Sequence, residues 1–465
     1  MKFYSIILLA IIVLSCNPTQ DKTTNTGNPF FTDLNQPIDY GRVTADHLEE
    51  YAQVTMEKVI ADFERIESTD IVTFNSIYQE LDNTINELNK ASNNLFMLYW
   101  VSPDSMSRIK GYAGYELLDS LSNQMASNKV LFQKMVDFTE TEEYQGLSSI
   151  KQRYVDDIIE TFKLSGVNLN PDDLEQFKQL NADILDLSSQ YTNRMNTANR
   201  VLKLDEDGAK GLPENFRKTY LVDEVNYEIP AIPATRGPVL GNASSEATRK
   251  AYIMEYSNRG SGGNMEILDQ LIQKRYEIGV LMGYDSYAGY NLKPKMSGDP
   301  ETVWKFINDL IGTSKEKAIQ DYEKLKQFRN EIEGIDDDSP VNPWDVSYYR
   351  NQLLKTKYNV DNEKIREYLP MESCLKGMME IYQQLLGLEF QKIENPSVWH
   401  EEVELYEVYN GETLQGRFYL DLFPRPNKES WFYGVGLTDG KQKEGGYEVP
   451  VAMLLGNFTR PTDEL

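Results

Sequence analysis

The residue types best suited to catalysis are scarce in this chain. Its 465 residues include two histidines, His47 and His400, and two cysteines, Cys16 and Cys374. A zinc site of the His-Glu-x-x-His type needs two imidazoles on one helical turn, and this sequence has no such pair. Two cysteines also exclude a disulfide framework and a Cys-rich zinc module. Each of these four residues therefore needs its own explanation.

The sequence around the histidines favours structural roles. His47 falls on the polar face of a predicted helix, as is typical of a surface residue. His400 follows Trp399 and precedes two glutamates, so it could bind a metal only with ligands from elsewhere in the chain. A structural role is the simpler interpretation for His400. Cys374 is expected to be a buried free thiol.

Other catalytic signatures are absent from the sequence. The segment 260–263 lacks the spacing of a serine-hydrolase elbow, and no histidine is near it. The segment 434–442 lacks the first glycine and the Ser or Thr of a phosphate-binding loop. The acidic run 336–338 is not followed by calcium-loop ligands, so we interpret it as a solvated helix end. From its residues alone, the sequence yields no active site.

Charge and composition narrow the possible partners. Asp and Glu total 73 against 47 Lys and Arg, which gives a net charge of −26. Because phosphate binding needs clustered basic residues, this excess argues against nucleic acid and anionic lipid as partners. Apolar residues make up 40% of the chain, which is enough for a buried core.

The N-terminus resembles an export signal. Residues 1–16 have a charged start, a short apolar run and the sequence Val-Leu-Ser-Cys, which resembles the bacterial lipobox. An ordinary signal peptide with an incidental cysteine is the alternative. Residues 17–29 are polar and predict a flexible tether. We therefore expect a lipoprotein anchored to a membrane through Cys16, located in the bacterial cell envelope and facing the periplasm.

Apolar periodicity divides the rest of the chain into three regions. Residues 30–204 form a helical N-terminal region, with helix starts predicted at Ser102-Pro103 and Asn170-Pro171. The second of these opens an apolar stripe that continues to Leu202. Residues 205–243, rich in Gly and Pro, predict a connector with short extended pieces. Helical patterning then resumes, and residues 244–465 form the third region.

The end of the third region predicts a small antiparallel sheet. Two strand-like runs flank Asn410-Gly411, which is a strong hairpin signal. The glycine-rich residues 434–446 predict a mobile loop, and residues 450–458 predict a third strand.

Several segments together resemble one family of zinc metallopeptidases, the thimet oligopeptidase, oligopeptidase A and peptidyl-dipeptidase family. They occur in the family's order from about residue 28 to the end of the chain. These segments are Asn28–Phe31, Leu281–Tyr284, Asn342–Tyr349, Glu367–Met371, Leu385–Leu388, Val398–Val403, Gly416–Arg425 and Pro450–Phe458.

The resemblance implies a mainly α, two-lobed, zincin-like fold of the thimet type with a channel that admits short peptides. In the family, one zinc ion is held by a His-Glu-x-x-His helix and a further Glu, and the motif's Glu activates the bound water. That helix follows the strand matched by residues 450–458, and this sequence does not contain it. The catalytic helices are thus expected to be missing, and no catalytic or metal-binding residue can be assigned.

The resemblance implies a zinc-dependent peptidase of short peptides, either an oligopeptidase or a peptidyl-dipeptidase, of which this chain is a fragment. The alternative is a non-catalytic, helical, peptide-binding lipoprotein. In the family, the edge of the small sheet pairs with bound peptide through main-chain hydrogen bonds. By resemblance, we expect the backbone of Gly456, Asn457 and Phe458 to bind substrate here.

Overall fold

A computed structural model describes residues 27–361, 364, 365, 367–458 and 460. The signal peptide, Cys16 and most of the tether lie outside the described residues. Helices dominate the described part of the chain. They are α1 Ala45–Ser68, α2 Glu80–Val101, α3 Ser105–Ala126, α4 Lys129–Thr139, α5 Glu142–Gln145, α6 Ser149–Leu164, α7 Pro171–Asn196, α8 Glu214–Tyr220, α9 Pro233–Asn242, α10 Glu246–Ser257, α11 Asn264–Leu281, α12 Tyr287–Leu292, α13 Pro300–Glu333, α14 Val346–Lys357 and α15 Met371–Leu386.

The strands form one larger sheet and two small ones. They are β1 Val201–Leu204, β2 Tyr227–Pro230, β3 Glu389–Lys392, β4 Glu404–Asn410, β5 Thr413–Asp421, β6 Tyr433–Thr438, β7 Lys441–Lys443, β8 Gly446–Glu448 and β9 Val451–Leu455. The larger sheet has the order β3-β4-β5-β9-β6. The prediction of a mainly α fold with a small sheet near the C-terminal end is confirmed.

The caps predicted for the long helix are present. The Asn170 side chain accepts a hydrogen bond from the backbone N–H of Asp173, and Pro171 is the first residue of α7. The helix ends at Asn196, before Leu202, which lies in β1. The apolar stripe therefore continues through a change from helix to strand, which periodicity alone did not reveal.

The main core joins the N-terminal helices to the larger sheet. Residues of α1 to α4 and of α6 share one buried cluster with Trp399 and with sheet residues such as Leu405, Tyr419 and Met453. Tyr40, just before α1, makes edge-on ring contacts with Trp399 and Tyr419, with centroids 5.1 Å and 5.7 Å away. The first helices and the last strands are thus parts of one packed body.

Four predictions about local structure are corrected. The cap of α3 is Asp104, because its carboxylate accepts from the N–H of Ser107, so the helix begins after Ser102-Pro103. The connector 205–243 contains two helices, and α9 includes Pro238. The glycine-rich segment 434–446 forms most of β6 and β7 rather than a mobile loop. The sheet is mixed, since β5 and β9 run parallel.

Two helices expose large apolar side chains. The first part of α13 exposes Trp304 and Phe306, at 62% and 68%, and no residue of α15 is buried. On α15 the exposed apolar residues are Met378, Ile381, Tyr382, Leu385 and Leu386. Within the described part of the chain, no helix combines the length and apolar character needed to span a bilayer.

Candidate functional site

A buried ionic cluster lies at the end of β5. The side chain of Arg425 contacts both carboxylate oxygens of Asp421 at 2.7 Å, and the indole N–H of Trp399 donates to the same carboxylate at 2.8 Å. Asp421 is 1% exposed. Burial by itself raises the pKa of the Asp421 carboxyl, but Arg425 and Lys428 outweigh it and lower that pKa below its usual value.

Lys428 completes this cluster and connects the ends of two strands. Its Nζ lies 2.7 Å from the Asp421 carboxylate and donates to the backbone carbonyls of Asp421, Phe423 and Gly456 at 2.9, 2.7 and 2.7 Å. The side chain is fully buried. Burial lowers the pKa of Lys428, and the Asp421 carboxylate only partly offsets this. The ammonium group thereby joins the ends of β5 and β9.

The three residues expected to bind peptide extend β9 beyond its last assigned residue. The backbone N–H of Gly456 donates to the carbonyl of Asp421 at 2.7 Å, and that of Phe458 donates to the carbonyl of Leu422 at 2.9 Å. These donors are therefore used within the chain. The N–H and C=O of Asn457 have no hydrogen-bond partner among the described residues. Because β9 lies between β5 and β6, strand alternation directs these groups away from β5 and towards the side of the sheet on which β6 lies.

The side chain of Asn457 fixes the segment that precedes β6. Its amide nitrogen donates to the carbonyls of Glu429 and Trp431 at 3.0 Å and 2.6 Å. Two exposed aromatic side chains whose rings touch, Phe432 and Phe458, lie near this contact, and we call them the aromatic patch. Their exposed fractions are 49% and 41%.

The aromatic patch lies against Gly456. The rings of Phe432 and Phe458 contact edge-on, with centroids 5.1 Å apart. A Cβ atom at Gly456 would lie 3.2 Å from the Phe458 ring and 3.3 Å from the Phe432 ring. Gly456 therefore lets the two rings approach the backbone.

Both histidines have structural partners. The Nδ1 of His47 accepts a hydrogen bond from the backbone N–H of Thr44 at 3.2 Å and so completes the cap of α1. The Nδ1 of His400 accepts from the backbone N–H of Glu402 at 3.3 Å. Burial, followed by the charge of Arg425, lowers the pKa of His400.

Cys374 is exposed on α15, so the expectation of a buried thiol is wrong. The whole of α15 has no buried residue, so Cys374 is exposed along with its helix. Cys16, the expected lipidation site, lies outside the described residues.

The described residues do not fit a catalytic zinc ion. In that part of the chain, no group of three or more His, Cys, Asp or Glu side chains is placed to hold a metal ion. A catalytic zinc site takes three protein ligands, usually with imidazoles among them. The two imidazoles here occur at opposite ends of the chain, and each has one nitrogen bound to backbone.

A second buried ion pair gives the Pro-Trp-Asp segment, residues 343–345, a structural role. Asp345 accepts from Arg249 at 2.6 Å and 2.8 Å, and both side chains are almost fully buried. Arg249 also donates to the carbonyl of Ala243 at 2.7 Å. This pair joins α10 to the start of α14. The sequence identified Asp345 only as part of a motif and gave no signal for Arg249.

Parts of this chain are similar in sequence to known peptidases. The model of peptidase family M3 matches residues 239–464. Oligopeptidase A of Escherichia coli (strain K12) is 26% identical over 368 residues, which cover 75% of this chain and 53% of that protein. The thimet-like oligopeptidase of Dictyostelium discoideum is 29% identical, with coverage of 70% and 50%. Saccharolysin of Saccharomyces cerevisiae is 27% identical, with coverage of 86% and 59%.

A solved structure was also matched. It is that of a putative oligoendopeptidase F from Bacillus anthracis, with 13% identity, a TM-score of 0.41, and coverage of 90% of this chain and 62% of that one.

Residues 239–464, just under half of the chain, match the model of peptidase family M3, and two of the relatives named above are oligopeptidases, so the resemblance noted in the sequence is confirmed. The chain spans about half the length of the curated relatives it matches, with 53% of the E. coli protein and 50% of the D. discoideum protein covered.

Proposed function

We propose that these residues belong to a zinc-dependent peptidase that hydrolyses short peptides. In this proposal the zinc ion is bound by residues outside these 465, because the two histidines here do not form a ligand set. The match of residues 239–464 to peptidase family M3 supports peptide hydrolysis as the activity of the whole protein.

The observation that carries the proposal is the aromatic patch beside an unpaired piece of backbone. Exposed apolar clusters next to free main-chain groups are typical of sites that bind peptides in extended form. The main chain of Asn457 offers one N–H and one C=O without partners among the described residues. We propose that a peptide pairs with Asn457 and places apolar side chains on Phe432 and Phe458.

This proposal keeps Gly456, Asn457 and Phe458 as the substrate-binding segment but divides their roles. Asn457 makes the main-chain contact, and Phe458 supplies part of the apolar surface. Gly456 lets Phe432 and Phe458 approach, and its own N–H stays paired with Asp421.

The exposed faces of α13 and α15 are consistent with a larger protein. Trp304, Phe306 and Leu385 are each more than half exposed, which is unusual for side chains of this size. We propose that segments outside these 465 residues cover both faces in the whole protein.

The test uses the whole polypeptide and an internally quenched fluorescent peptide with a Phe near the scissile bond. Cleavage that stops with a zinc chelator and returns with zinc supports the proposal, and Phe432→Ala should raise KM several-fold. Tyr276→Ala, another exposed aromatic, on α11, is the control and should leave KM unchanged. Absence of cleavage with zinc present would contradict the proposal.

A non-catalytic peptide-binding lipoprotein remains the second candidate, favoured by the lack of a metal-ligand cluster among the described residues. The same experiment separates the two functions. This candidate predicts that the whole polypeptide binds the peptide, with Phe432→Ala weakening binding, but never cleaves it.

A further inference from the structure

We infer that Lys428 is a positioning residue, whose ammonium group holds the end of β9 so that Asn457 and Phe458 face a bound peptide. This inference deepens the proposed function and rests on it. Its basis is the contact between the Lys428 Nζ and the carbonyl oxygen of Gly456, at 2.7 Å.

Lys428 is the only described side chain that connects this carbonyl to the end of β5. Its Nζ also contacts the Asp421 carboxylate and the carbonyls of Asp421 and Phe423. A fully buried ammonium group is costly unless acceptors surround it, and here four oxygens do so. Because these oxygens come from both strand ends, moving either end away would leave the ammonium without partners. The geometry therefore resists displacement of Gly456.

The surrounding segment is fixed to the helical body as well. Arg425 donates to the carbonyl of Val101 at 2.7 Å, and the N–H of Glu429 donates to the carbonyl of Trp100 at 2.9 Å. The end of α2 thus anchors residues 425–429, and Lys428 extends this anchor to Gly456. Asn457 adds its own bonds to Glu429 and Trp431. Lys428 consequently links the proposed peptide-binding residues 456–458 to the end of α2.

The energetics single out Lys428 as the residue to change. If Lys428 is replaced by Met, Asp421 keeps two bonds from Arg425 and one from Trp399, so no unpaired carboxylate is left buried. The carbonyls of Phe423 and Gly456 lose their ammonium donor. We therefore expect this substitution mainly to make the end of β9 more mobile, while the fold is kept.

The experiment compares Lys428→Met with wild type in the whole polypeptide. Hydrogen exchange at the amides of Gly456 and Phe458 should become faster, since their pairing with Asp421 and Leu422 is no longer supported. KM for the quenched peptide should rise about tenfold while kcat stays within about twofold, because one binding contact is misplaced before chemistry begins. Lys428→Gln keeps hydrogen-bond donors and should restore part of the affinity.

The matched control is Lys441→Met. Lys441 is mostly buried and paired with Asp82 of α2, but it does not contact Gly456. The Lys441→Met substitution should leave KM and the hydrogen exchange of the Gly456 amide unchanged. Non-cooperative unfolding of Lys428→Met would show that this variant is not properly folded. In that case Lys428→Gln is compared with wild type instead.

Two results would overturn the inference. Unchanged exchange at Gly456 and Phe458 in a folded variant would show that Lys428 does not hold the strand end. Faster exchange with unchanged KM would show that the strand end does not position peptide. If wild-type protein cleaves nothing, the proposed function fails, and the exchange comparison alone still decides whether Lys428 holds Gly456.

Discussion

The guanidinium group of Arg249 lies 2.6 Å from a carboxylate oxygen of Asp345, 96 residues further along the chain, and the side chains are 2% and 4% exposed. The ring of Tyr348 lies 4.1 Å from the Arg249 guanidinium carbon. The Pro-Trp-Asp-x-x-Tyr-Tyr segment therefore packs α14 against α10. Its contacts are structural, although the segment was recognised through a peptidase family.

Loss of this ion pair should destabilise the protein strongly. Asp345→Asn leaves Arg249 buried with an uncompensated charge and should lower the free energy of unfolding by about 3 kcal/mol, as measured by urea denaturation. Asp321→Asn in α13 is the control, because its pair with Lys317 is exposed to solvent and should add little to stability. Equal stability losses in the two variants would contradict the structural role of Asp345.

A side chain at Gly456 should disturb the aromatic patch. Gly456→Val would force Phe432 and Phe458 away, since even a Cβ atom would lie 3.3 Å and 3.2 Å from their rings. We expect KM for the quenched peptide to rise about tenfold in a folded variant. Gly436→Val in β6 is the control, because the nearest atom to its Cβ is the Asp439 carboxylate at 3.7 Å. Unchanged kinetics in Gly456→Val would refute the assignment of the patch.

The contact between α2 and β7 should make stability sensitive to acid. Burial raises the pKa of Glu87, but the hydrogen bond and charge of Lys443, together with Lys58, outweigh it and lower the pKa to about 2 from 4.5. Because the folded value is the lower one, the stabilisation is complete above about pH 4.5 and is lost as the pH falls towards 2.

Glu87→Gln tests this dependence. Wild-type protein should lose free energy of unfolding when the pH is lowered from 6 to 3. In Glu87→Gln this loss should be smaller by about 1–2 kcal/mol, as measured by urea denaturation at both pH values. Lys443→Met removes the main cation beside Glu87 and should reduce the acid dependence in the same direction. An acid dependence identical to wild type in both variants would show that the pair does not lower the pKa of Glu87.

Local signals in the sequence predicted the elements whose causes are local. Asn410-Gly411 marked the turn between β4 and β5, and Gly411 has the positive φ of 60° that such turns require. Asn170 and Pro171 marked the start of α7. In each case the deciding interaction lies within a few residues of the signal, so the sequence pattern is sufficient.

Features that depend on distant partners could not be read from the sequence. The glycines of β6 were taken for a loop, because the pairing of Gly434 with Leu454 is what makes them a strand. β5 and β9 pair in parallel although β6 to β8 lie between them along the chain, and no local signal marks that pairing. Lys428 gave no signal at all, since its acceptors lie on residues 421, 423 and 456, which only the fold brings together.

Lipidation of Cys16 remains a prediction, because the residue lies outside the described part of the chain. Mass spectrometry of the mature protein should show an N-terminus that begins at Cys16 and carries lipid, as expected for cleavage after Ser15. Cys16→Ser should abolish the modification, whereas Cys374→Ser should leave it unchanged. An intact Met1, or an unmodified Cys16 after cleavage elsewhere, would refute the prediction.

The most direct test of the account compares zinc content and peptide cleavage for residues 1–465 and for the whole polypeptide. The account predicts that residues 1–465, with no ligand cluster among the described residues, bind far less than stoichiometric zinc and cleave no peptide. The whole polypeptide should bind zinc stoichiometrically and cleave the quenched peptide in a chelator-sensitive way. Stoichiometric zinc and chelator-sensitive cleavage by residues 1–465 alone would contradict the account.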